Sequence, residues 1–136
     1  MIRLRTLSAL SLIVLAACSP EASGDATVEV ELANDHIVLT PDAVTGSRIV
    51  FDTTNTAEEL VHEIEVFSGG THGAVLPVSN SVADTAGLTL LDEIEDIVPG
   101  ATATLTVDLA PGTYLVVCNL PGHYELGMWA YLTVNG

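Results

Sequence analysis

The chain has 136 residues, 49% hydrophobic and 15% charged, with three cationic residues against eighteen carboxylates and a formal net charge of −15. So acidic a surface repels nucleic acid and anionic lipid. An apolar fraction near one half, distributed with alternation, excludes a disordered chain. With only two cysteines, Cys18 and Cys118, a disulfide-stapled scaffold is excluded as well.

The chain opens with Arg3 and Arg5, an apolar stretch from Leu7 to Ala17, and then Cys18. An apolar core of about eleven residues is too short for a bilayer span, which needs roughly twenty. A positive start, a short apolar core and small residues at the cut describe an export signal. Leu15-Ala16-Ala17-Cys18 resembles a bacterial lipoprotein box. The resemblance implies a lipid on the Cys18 side chain and a mature protein that starts there. That protein would be anchored to the cell membrane or the outer membrane and face the periplasm or extracytoplasmic space. An ordinary secretory signal cleaved nearby, with Cys18 incidental, is the alternative.

The expected organisation is a signal at 1–17, a lipidated cysteine and flexible tether at 18–26, and one domain at 27–136. Removing the leader leaves Arg48 alone against eighteen carboxylates, about −17, and the chain has no lysine. Such a surface steers basic partners by an attraction that salt weakens. Solubility in a salty habitat explains it equally well.

From the tether onward the apolar residues recur with period two, the signature of strands. Val28, Val30 and Leu32 alternate with Thr27, Glu29 and Glu31, and Ile49 and Phe51 with Arg48 and Asp52. Leu60, His62, Ile64 and Val66 share a face opposite Glu63 and Glu65. Between Gly69 and Pro99 the pattern is irregular, with an acidic cluster Asp92, Glu93, Glu95 and Asp96; a short helix or an extra strand would fit. Ala103, Leu105, Val107 and Leu109 alternate with threonines and Asp108; Tyr114, Val116 and Cys118 share a face, and Trp129 to Val134 forms the last strand. Thr45-Gly46, Ser68-Gly69-Gly70, Pro99-Gly100, Pro111-Gly112 and Pro121-Gly122 mark turns. The expected fold is all-β, an antiparallel Greek-key β-sandwich or barrel.

Chemistry concentrates near the end, in Cys118-Asn119-Leu120-Pro121-Gly122-His123-Tyr124-Glu125-Leu126-Gly127-Met128. Apart from Met1, Met128 is the only methionine, and with Cys18 lipidated Cys118 has no disulfide partner. Two imidazoles, from His62 and His123, with one thiolate and a weak thioether make the ligand set of a blue-copper electron-transfer site. Cys118 ends a buried strand, Pro121-Gly122 folds the chain back to bring His123 beside the sulfur, and a turn through Gly127 presents Met128. His62 lies on an apolar face, where a polar ring needs a partner. His36, beside Asp35, and His72, in a glycine-rich loop, are expected at the surface.

The stretch Tyr114 to Met128 resembles the copper loop of the cupredoxins, the plastocyanin and azurin superfamily. Its Cys-x4-His-x4-Met spacing is similar to that of rusticyanin, auracyanin and sulfocyanin, and the region from Asn55 through His62-Glu63-Ile64 is similar too. The resemblance implies an eight-stranded sandwich holding one type 1 copper per chain, with His62, Cys118 and His123 equatorial and Met128 axial. Many cupredoxins follow the first histidine with Asn, which knits the two ligand loops together; here Glu63 stands in that place.

The family also implies that the ring edge of His123 reaches the surface within an apolar patch, for which Leu120, Pro121 and Leu126 are candidates. The expected function is single-electron transfer by a membrane-tethered monomer to or from a basic redox partner, such as a cytochrome c or a copper oxidase. Four protein ligands leave no open position for substrate, and no catalytic constellation appears, so no enzyme activity is expected. A copper carrier that hands over the ion is the alternative, although the chain lacks the Met- or His-rich tracts such proteins often expose. A metal-free interaction module is a third reading.

Overall fold

The alternation of apolar side chains organises two sheets around one core. The computed structural model describes residues 24–136; the expected export signal, the expected lipid site at Cys18 and most of the expected tether lie outside the described residues. One sheet has the order β2-β1-β4-β9, formed by β1 (Asp25–Leu32), β2 (Ile37–Thr40), β4 (Arg48–Asn55) and β9 (Thr102–Asp108). The other has the order β3-β11-β10-β5-β8, formed by β3 (Ala43–Thr45), β5 (His62–Ser68), β8 (Thr89–Ile97), β10 (Gly112–Val117) and β11 (Trp129–Asn135). A two-stranded hairpin, β6 (Val78–Ser79) and β7 (Val82–Ala83), stands apart, and among the described residues the one helix is α1 (His123–Leu126). Among the described residues no helix is long and apolar enough to cross a membrane.

The sandwich is the expected one, with three refinements. The segment holding β2 and β3 switches sheets across the Thr40–Pro41 peptide, so counted as a single strand it gives the sandwich eight. Two pairs, β1 with β4 and β3 with β11, are parallel. The segment that leaves β1 crosses to the second sheet before β4 returns beside β1, so β4 runs in the same direction. Strand β1 also takes in Asp25 and Ala26, assigned above to the tether, opposite Arg48 and Ile49.

Val28, Val30, Leu32, Ile49, Phe51, Ile64, Val66, Val116 and Leu132 fill the space between the sheets. Burying each such side chain contributes about 1.5–3 kcal/mol relative to leaving it exposed. Leu60, read as part of that inward face, lies in the loop before β5 and is exposed.

The irregular region between Gly69 and Pro99 resolves into the hairpin and β8. Residues Leu76, Ala83 and Leu88 from this region close a second, smaller core on the outer face of the sheet, over Phe67, Leu115, Val117, Tyr124 and Tyr131. That cover explains why the run Tyr114 to Val117 is apolar on both faces. Strand β8 is an edge, and its side chains are mostly exposed. Its register against β5 shifts twice, and Asp96 takes a positive φ of 55°. Bulges and a row of carboxylates are two ways of keeping an edge from pairing with another chain.

Candidate metal centre

Strands β5 and β10 are neighbours and antiparallel, so the start of β5 and the end of β10 meet at one end of the sandwich. His62 is the first residue of β5 and Cys118 follows β10, both on the inward face and both fully buried. Leu120-Pro121-Gly122-His123 then closes a tight turn, the His123 N–H donating to the Leu120 carbonyl at 2.9 Å. Proline supplies the fixed φ of the second position, and Gly122 takes φ 87°, which a side chain would resist. The turn brings His123 Nδ1 to 3.3 Å from Cys118 Sγ.

His62 Nδ1 lies 3.7 Å from the same sulfur and 3.1 Å from His123 Nδ1. The ligand atoms of His62, Cys118 and His123 all lie within 4.8 Å of one another. His36 and His72 are exposed, as expected: His36 pairs with Asp35 and His72 packs on the Tyr131 ring.

Met128 comes from the far side of the loop. After α1, Gly127 adopts φ 111° and its α-carbon faces the Asp35 carbonyl so closely that a Cβ would sit 2.8 Å from that oxygen. The Met128 N–H donates to the His123 carbonyl at 3.2 Å, and its own carbonyl accepts from Cys118 N–H at 2.9 Å. The side chain is fully buried in the main core beside Cys118.

Asn55 braces the first-histidine loop. It is fully buried. Its Nδ2 donates to the carbonyls of Leu60 and Ile97 at 2.8 and 2.7 Å, and its Oδ1 accepts from Ala57 N–H at 2.9 Å. Ile97 is the cross-strand partner of His62, so one carboxamide ties together the strand end, the loop and the edge opposite the histidine. Glu63, the departure noted in the sequence, does link the two loops: its Oε1 accepts from Asn119 N–H at 3.1 Å.

The electrostatics suit a metal. Burial lowers the proton affinity of His62, the neighbouring His123 lowers it further, and the Ala33 backbone opposes both. Burial alone lowers His123. Both rings are therefore neutral near pH 7, as ligation requires. Burial pushes the Cys118 thiol up to about 11, against the opposing backbone amides of Glu63 and Leu120. Holding a metal would require Cys118 to give up that proton and bind as the thiolate.

The donors fit a shared ion. Bonds of roughly 2.0–2.3 Å to one first-row ion place neighbouring donors about 3–4 Å apart, which is the spacing seen. A Greek-key sandwich that closes a His–Cys–His cluster at one end, with His62 and Cys118 buried and His123 partly exposed, is a cupredoxin, with one type 1 copper site.

Solved structures agree on the fold. Auracyanin from Roseiflexus castenholzii superposes with a TM-score of 0.59 at 22% identity, over 81% of this chain and 97% of that one. Auracyanin A, a "blue" copper protein from Chloroflexus aurantiacus, gives 0.54 at 24% identity, over 82% and 100%. Rusticyanin from Thiobacillus ferrooxidans gives 0.60 at 19% identity, over 83% and 79%. Among curated protein sequences none matches. The sulfocyanin (SoxE) domain matches residues 25–136, and the chain belongs to that family.

The sequence reading did not find Asn119, whose carboxamide bonds to Ala83, or the hairpin that carries Ala83. A signal for the hairpin was present: Asn80-Ser81, a pair able to take positive φ, lies between Val78-Ser79 and Val82-Ala83.

Proposed function

We propose that this chain is an exported carrier of single electrons, tethered through a lipid on Cys18, in which His62, Cys118, His123 and Met128 would hold one copper ion, Met128 through a weak thioether. The convergence of two neutral imidazoles and one buried thiol within 4.8 Å carries the reading. Copper bound there supplies a one-electron couple, with soft sulfur favouring the reduced ion and imidazole suiting both states. His62, Cys118 and Met128 are fully buried, so they exclude water and keep the ligand set unchanged between states.

His123 is only partly buried, and its ring offers the way in or out for the electron. Leu126 and Pro121 are exposed around it and Leu120 is half-buried. Leu60, Val61 and Val98 add exposed apolar surface at the same end. The partner is a basic redox protein of the cytochrome c or copper-oxidase kind, drawn in by the acidic surface.

The first test is the visible spectrum after adding Cu(II), then ascorbate. An intense thiolate band near roughly 600 nm that bleaches and returns is expected of this ligand set. A colourless copper complex would remove Cys118 as a strong ligand. For the partner, association rates should fall steeply with added salt; rates indifferent to ionic strength would remove the steering claim.

A further inference from the structure

Between Cys118 and His123 the chain has four residues in which to turn, and Asn119 is the one whose side chain bonds outside the loop. Its N–H donates to Glu63 on β5. Its side chain reaches the other way: Oδ1 accepts from Ala83 N–H at 2.8 Å, and Nδ2 donates to the Ala83 carbonyl at 3.3 Å. That two-point contact imitates the bonds of a neighbouring strand. Ala83 faces Val78 between the Ser79–Val82 pair and the Asp84 N–H bond to Pro77, an alternate position in an antiparallel ladder whose backbone groups point away from the partner strand.

The same hairpin grips the turn at its other end. Asn80 and Ser81, at φ 53° and 62°, form its tip, and the Ser81 carbonyl accepts from Gly122 N–H at 2.7 Å. Just before the hairpin, Leu76 N–H donates to the Tyr124 hydroxyl at 2.8 Å. The segment 76–83 therefore holds residues 119, 122 and 124, on both sides of His123. Two strands of two residues each do not stand alone; this hairpin is ordered by what it grips and by the small outer core.

We infer that Asn119 is a positioning residue for the copper centre: by clasping Ala83 it fixes the turn that sets Cys118 Sγ against His123 Nδ1. The inference rests on the copper reading above. Outer groups that orient ligands typically change metal affinity or activity by about 10–100-fold when removed.

Two variants test it from opposite sides of the bond. Asn119→Ala removes the clasp from the loop; Ala83→Pro removes the N–H donor and leaves the copper loop untouched. In the copper-loaded full chain, both should lose copper to a chelator about 10–100-fold faster. Both should also shift the reduction potential and the thiolate band in the same direction. Lowered stability with an unchanged band, potential and copper-loss rate would make Asn119 merely structural and overturn the inference.

The copper-free chain gives a separate readout, which holds if Ala83→Pro fails to fold. Amide exchange at Ala83 and Gly122 should be slow in the parent and fast at Ala83 in Asn119→Ala. Fast exchange at both sites in the parent would overturn the clasp whatever the metal does. A parent that never turns blue, with these amides protected, would sink the copper reading and leave the clasp in place.

Discussion

Replacing Asn55 by alanine is the sharpest test of how the first-histidine loop is held. The substitution deletes three hydrogen bonds, to Leu60, Ile97 and Ala57, from a side chain with no solvent exposure. The Ala57 and Ile97 backbone groups that remain are in buried residues, and each unpaired buried group costs about 1–3 kcal/mol. Leu60 is exposed enough for water to replace its bond, so it adds only about 0.5 kcal/mol. The sum is about 2.5–6.5 kcal/mol, a large part of the total of about 5–15 for a domain. The midpoint should fall by roughly 10 °C or more. Equilibrium denaturation of the copper-free protein measures it, with copper retention as a second reading because His62 faces Ile97. A loss below about 1 kcal/mol would mean that water enters and satisfies the three groups, and the bracing role would fall. Asn55→Asp sharpens the test. It sets an acceptor against two carbonyls, so its pKa rises above the unfolded value, and stability should be lost as pH climbs and partly recovered in acid.

Three further outcomes follow from single groups. Thr53 is 1% exposed and its Oγ1 has no partner, so Thr53→Val should stabilise by about 1 kcal/mol in denaturant titration, and a loss would reveal a hidden partner. Glu65 is pushed up to about 7 from an ordinary 4.5, first by burial and then by the charges of Glu63, Glu93 and Glu95. The folded chain thus holds a proton that the unfolded chain has released between those values, and this group makes stability rise as pH falls from about 7 to 4.5. Glu65→Gln should flatten that slope and stabilise at neutral pH by about 1 kcal/mol after allowance for solvent screening, read from midpoints against pH. Gly127→Ala meets both a positive φ and the Asp35 carbonyl, so it should cost about 1–3 kcal/mol and disturb the thiolate band through Met128; an unchanged spectrum would show that Met128 is placed independently of that turn.

Where the sequence reading succeeded, a local period decided the matter. His62, Ile64 and Val66, and Tyr114, Val116 and Cys118, step two residues at a time toward one core, so their shared face is written in the chain. The Pro121-Gly122 turn is equally local, since proline fixes one φ and glycine permits the next. Edge strand β8 was not legible, because it is exposed on both sides and bulged twice, and nothing imposes alternation on such a strand.

By itself the sequence determined the inward faces, the turns and the four side chains offered as ligands, because residue type and spacing act over a few positions. Only the tertiary structure decided which distant groups complete the site. Asn55 reaches Ile97, Glu63 reaches Asn119 and Asn119 reaches Ala83 across 42, 56 and 36 residues of chain. Such bonds depend on the path by which two sheets close, and no short-range pattern encodes that path.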